Sequence, residues 1–126
     1  MGGYKMTNKQ FIQEMRAIKK DHNNSELKRK VAGMLINQLE GYDNPKQMFE
    51  DLSHGCVSGI VGSLIYYVDT HKFAKTYIED ILKLKDELED ETGEPIQEKD
   101  DKLNWLAWFG FEEMAYRIAG ELEIEY

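Results

Sequence analysis

LNWLAWFGFEEMAYRIAGEL, residues 103–122, decides the fold. The segment is apolar on every side through Phe111 and turns amphipathic after it. A surface helix carries one apolar stripe at i, i+3, i+4 and i+7, whereas a helix that is hydrophobic all round has to be covered by neighbours. Trp105, Trp108, Phe109 and Phe111 between them point in most directions. The spacing therefore predicts a central helix with the rest of the chain wrapped around it.

Immediately upstream, Asp100 or Asp101 is placed to cap that helix, where a carboxylate also suits the positive end of the helix dipole. Glu94-Pro95-Ile96-Gln97-Glu98-Lys99 is the longest loop signal in the chain. From Thr70 to Glu91 one amphipathic helix is predicted, with Tyr77, Ile81, Leu84 and Leu88 on its apolar stripe and Thr92-Gly93 ending it. CVSGIVGSLIYYV, residues 56–68, reads as a buried strand or a buried helix by hydrophobicity alone. Gly55, Gly59, Gly62 and Ser63 favour the helix, because small residues at helical spacing make a flat face that a second helix can approach closely. Close packing against the 103–122 helix is the expected compensation for the roughly 1 kcal/mol that each internal glycine costs.

Toward the N-terminus the start signals are local. Asn44-Pro45 opens a short helix that ends near His54-Gly55. Ser25 caps a helix whose stripe is Leu27, Val31, Met34, Leu35 and Leu39, with Gly41 placed to stop it. Thr7-Asn8-Lys9-Gln10 matches a capping box ahead of Phe11, Met15 and Ile18, and Asp21-His22-Asn23-Asn24 closes that first helix. The chain contains no internal repeat, alternating strand pattern or hairpin dipeptide. The predicted class is all-α, a compact single-domain bundle of about six helices around a buried C-terminal helix. The domain is expected to span 1–126, with residues 1–6 disordered or, before Met6, foreign to the natural chain, which would then start at Met6. Residues 7–41 form a basic helical pair, and 45–122 the core.

The 126 residues suffice for one core, and no apolar run is long enough to cross a membrane. The N-terminus lacks a signal peptide's apolar region, and the lone Cys56 has no internal disulfide partner, so a reducing interior is the expected setting. Net charge is −8 and uneven: residues 1–35 carry eight Lys or Arg against three acids, and the remainder eight against 21. Acid is densest at Asp86, Glu87, Glu89, Asp90, Glu91, Glu94, Glu98, Asp100 and Asp101, nine carboxylates facing only Lys99.

Chemistry-bearing residues are few. His54-Gly55-Cys56 and Asp69-Thr70-His71 contain metal-ligand types, but a helix over 57–68 would hold the two groups roughly 18 Å apart. Neither group alone completes a zinc site, so no metal and no cofactor is expected. Asp69 or Thr70 is read as the cap of the next helix, and His71 is the candidate acid-base residue. Glu112 and Glu113 point about 100° apart on a helix, a poor arrangement for joint acid-base work. Glu113 and Arg117, at i and i+4, are expected to form a structural ion pair. The acidic stretch does not match a calcium loop, because five residues before Gly93 stands Leu88 where an oxygen ligand is required. It reads either as a solvated helix end and loop or as a negative array for a basic protein surface. No phosphate-cradling glycine loop, Ser-His-Asp order or CxxC pair is present. Cys56, in apolar company, reads as a core residue.

FEDLSHGCVSGIVGSLIYYVDTHKF (residues 49–73) and NWLAWFGFEEMAYRIAGEL (104–122) resemble a family of small uncharacterised proteins encoded by bacteriophages and other mobile elements, over roughly residues 45–122. The resemblance brings no catalytic or binding residues with it. It implies a setting, the cytoplasm of a bacterial host. With the charge map, it leads to the expectation of a non-enzymatic interaction protein whose acidic stretch, Asp86 to Asp101, occupies a basic host protein. The partner class is a nuclease-type defence system, as for anti-CRISPR or anti-restriction inhibitors, and charge reversal of the stretch is expected to abolish binding while leaving the fold intact. The alternative is a small enzyme or metal-dependent module built from His54, Cys56, Asp69, His71 and Glu112. A third reading is a DNA-binding accessory protein acting through its first two helices, which the net charge of −8 disfavours.

Overall fold

The computed structural model describes residues 6–53, 69–98 and 101–126. Among them are six helices and no strand: α1 (Asn8–Lys20), α2 (Glu26–Leu39), α3 (Pro45–Ser53), α4 (Thr70–Thr76), α5 (Ile78–Thr92) and α6 (Lys102–Glu121). The all-α class is as expected, with α6 at the centre, touching α2, α3, α4 and α5. The predicted helix over 57–68, its small-residue face, and the Cys56 and His54 assignments lie outside the described residues.

Local capping chemistry sets most helix starts. Thr7 and Gln10 form the reciprocal capping box of α1. Ser25 Oγ accepts from the Lys28 amide, Asn44 Oδ1 from Gln47, Asp69 Oδ1 from Lys72 and Asp101 Oδ1 from Asn104. Each cap satisfies one amide that the first turn leaves without an intrahelical partner. Gly93, at φ 73°, ends α5 in the left-handed conformation, which costs glycine nothing.

The apolar stripes meet in one core. Phe11, Phe49 and Phe111 are fully buried alongside Leu27, Leu35, Ile81, Leu106 and Ile118. Each such side chain contributes about 1.5–3 kcal/mol through burial. On α6 the fully covered face runs through Leu106, Gly110, Phe111, Met114 and Ile118, while Trp105, Trp108 and Phe109 are half-buried. Trp105 and Phe109 stack on each other, centroids 5.1 Å apart. Gly110 is where α5 comes closest: a Cβ there would lie 2.7 Å from Ile81 Cγ1. That glycine makes a tight helix approach, and the one expected of the 56–68 segment falls outside the described residues.

One element departs from expectation. The single helix predicted from Thr70 to Glu91 is two, broken at Tyr77, whose φ of −111° and ψ of 20° leave the helical region. Two local contacts accompany the break. Thr76 Oγ1 donates to the Lys72 carbonyl at 2.8 Å, the back-bonding that bends helices, and the Phe73 and Tyr77 rings pack 5.0 Å apart. Beyond the bend, Asp80 reaches α2 and accepts from the Leu27 amide at 3.1 Å. The side chain of α5 thus completes the capping of a helix 53 residues earlier.

Candidate functional site

The acidic stretch occupies the second half of α5, the loop after it and the start of α6. Its carboxylates divide into those that the fold uses and those that it leaves free. Glu87 and Glu91, one turn apart, both reach Arg117 on α6, at 3.6 and 3.3 Å. Glu89 pairs with Lys85 at 3.3 Å and accepts from the Ile96 amide at 2.7 Å, drawing the loop back against α5. That amide holds the Glu89 carboxyl below its ordinary range, Lys85 acts the same way, and partial burial opposes both. Glu98 pairs with Lys102 at 3.4 Å across the start of α6.

Asp101 has two roles. Besides capping α6 it lies 2.8 Å from His71 Nε2. The His71 bond and, after it, the Asn104 amide hold the Asp101 carboxyl below its usual range. The beginnings of α4 and α6 are joined there, on the surface, by a hydrogen bond between side chains that are both at least half exposed.

Asp86, Asp90 and Glu94 remain. All three are exposed, and among the described residues none of their carboxylates has a hydrogen bond or ion pair. Asp86 and Asp90 are one turn apart on the outer face of α5, which also carries the exposed Leu82. Asp100 lies outside the described residues.

The predicted Glu113–Arg117 pair does not form. Arg117 is turned toward Glu87 and Glu91 of the neighbouring helix, while Glu121, the carboxylate four residues after it on α6, is bound by Lys28. Arg117 still favours the charged form of Glu113 at longer range, but burial outweighs it and Glu113 titrates above its ordinary value. Burial and then Glu113 do the same to Glu112. Beside them Tyr116 donates to the Leu52 carbonyl at 3.3 Å and stacks on Tyr126, and burial pushes its hydroxyl up to about 12. A phenol held that high keeps its proton at neutral pH and serves as a donor. This half-buried group was not found from sequence, since nothing local links Tyr116 to residues 52 and 126.

Of the residues of the metal or enzyme reading, His54 and Cys56 lie outside the described residues. Asp69 is a cap, as expected; His71 faces Asp101; and the described residues contain no group of three His, Cys, Asp or Glu side chains able to hold a metal ion. No described helix is long and apolar enough to cross a membrane.

At the junction of α2, α5 and α6, charges of alternating sign surround a cleft of about 190 Å³: Lys28, Asp80, Lys83, Glu87, Arg117 and Glu121. Lys28 binds Glu121 there at 2.8 Å.

The model of a family described as a domain of unknown function, DUF7222, matches residues 24–124. The match includes α2, which the sequence resemblance beginning near residue 45 did not. No curated protein and no solved structure matches the chain.

Proposed function

We propose that this chain, which belongs to the DUF7222 family, is a non-enzymatic interaction protein that docks the outer face of α5 and the following turn on a basic protein surface. The observation supporting this reading is the trio Asp86, Asp90 and Glu94, exposed and without side-chain partners among the described residues. Three unneutralised carboxylates on a helix flank and its adjoining turn give a directional negative field, which steers and registers a basic partner. In the setting that the sequence resemblance implies, a mobile element in a bacterial host, that partner is a nuclease-type defence protein whose basic surface is built for nucleic acid. An inhibitor of that kind needs only to cover the surface.

The partition of carboxylates dictates the test. Reversing the whole stretch would cut the Arg117 pairs and the Glu89 clamp, so the expectation that reversal spares the fold needs correction for Glu87, Glu89 and Glu91. The discriminating variant is Asp86→Lys/Asp90→Lys/Glu94→Lys, compared with the unaltered chain in affinity capture from nuclease-treated bacterial lysate. Unchanged helicity and loss of one defined basic protein from the capture are expected. Equal recovery by both versions would remove the acidic face as the docking surface.

A further inference from the structure

A second charged feature lies in the groove between the end of α1 and the middle of α2. The groove holds about 350 Å³ and is lined by Lys19, Arg29 and Lys30, with Gly33, Met34 and Asn37 among the remaining residues. None of its lining residues is acidic. Among the described residues no carboxylate pairs with any of the three cations, although Lys28, the residue before Arg29, has found Glu121.

Two contacts position two of the three cations. Arg29 Nε donates to the Lys19 carbonyl at 2.8 Å, at the last turn of α1. That bond anchors the guanidinium and leaves its four terminal N–H donors for another acceptor. The Lys19 side chain crosses α2 over Gly33, where a Cβ would stand 3.5 Å from Lys19 Cε and 3.6 Å from Nζ. The Lys19 ammonium thus lies over α2 beside Gly33, in the same groove as Arg29. Like charges lining one groove repel one another, and an anion shared between them relieves that cost.

We infer that this groove is a binding site for a phosphate ester, with Arg29 its bidentate contact and Lys19 and Lys30 the flanking charges. Tetrahedral phosphate matches the guanidinium fork, and a partly immobilised arginine loses little further freedom when it binds. The net charge of −8 does not oppose this at working salt. Screening over roughly 8 Å at physiological ionic strength leaves the local cations in control. The groove volume falls at the lower end of that of small-ligand sites, about 300–1,000 Å³. The ester is supplied either by a free nucleotide or by a nucleic-acid backbone.

The test uses the full chain, with pyrophosphate, ATP and a fluorescein-labelled 20-nucleotide DNA strand as probes, at low and physiological salt. Lys19→Gln/Lys30→Gln keeps the Lys19 carbonyl that Arg29 Nε binds, and Arg29→Gln removes the fork; Lys72→Gln on α4 is the control. The expected result is saturable binding of at least one probe, weakened about ten-fold or more by each groove variant and under two-fold by the control. Preference for pyrophosphate and ATP over the strand identifies a free phosphate compound. Tighter binding of the strand, falling steeply with salt, identifies the backbone. Absence of binding by all three probes at low salt, or equal binding by both groove variants and the unaltered chain, overturns the inference.

Discussion

Gly110 and Glu112, two residues apart on α6, put opposite constraints on the same helix. At Gly110 a methyl group would meet Ile81 at 2.7 Å, and Ile81 is fully buried. Gly110→Ala is therefore expected to lower stability by about 1–3 kcal/mol through overpacking, less the ~1 kcal/mol that alanine returns in helix propensity. Denaturant unfolding measures it, and a stabilised variant would show that α5 retreats freely. Glu112 is half-buried with its pKa raised, by burial first and by Glu113 second. A folded pKa above the unfolded one means that the native state binds the extra proton, so stability rises as pH falls through the raised value. Glu112→Gln should raise the melting temperature at pH 7–8, and the gain should disappear on acidification toward the ordinary carboxylate range. A gain constant with pH would assign it to something other than charge. Neither constraint is legible in sequence, because each depends on what a neighbouring helix brings against α6.

For elements, legibility follows range. Thr7, Ser25, Asn44, Asp69 and Asp101 cap the helices that the sequence assigns to them, since a cap is chemistry within four residues. The break at Tyr77 is not legible in sequence because Phe73, Tyr77 and Ile81 repeat at i, i+4 and i+8 across it, with no Gly or Pro to mark it. Arg117 was assigned to its own helix for a similar reason: spacing along one helix is visible in sequence, and a second helix with two carboxylates is not. The acid-rich segment shows the same limit, its density readable and the partition between used and free carboxylates a matter of tertiary placement. Glu89 is the sharpest case, holding the loop to α5 through the Ile96 amide. Glu89→Gln should leave α5 intact while speeding hydrogen exchange at Ile96, and unchanged exchange there would mean that the loop is held by other contacts.

At the scale of the whole molecule, the His71–Asp101 pair closes a 30-residue excursion containing α5 and its loop. Asp101 titrates below its usual value because of His71 and the Asn104 amide. The sign is the reverse of that for Glu112: the contribution is complete above the unfolded carboxylate value, roughly pH 4, and is lost as pH falls through the lower folded one. The melting-temperature advantage of the unaltered chain over Asp101→Asn should therefore shrink as the pH is taken below that value. An advantage that persists at the acid limit would trace to packing. The charged ring at the α2–α5–α6 junction has a different dependence. Ion hydration becomes less favourable on heating, so the penalty for drawing Lys28, Arg117 and their carboxylate partners together falls as temperature rises. The apolar core gains no comparable advantage over that range. On warming, the ring becomes a larger share of what holds the three helices together, so the junction resists heat best where the rest of the molecule is losing its margin.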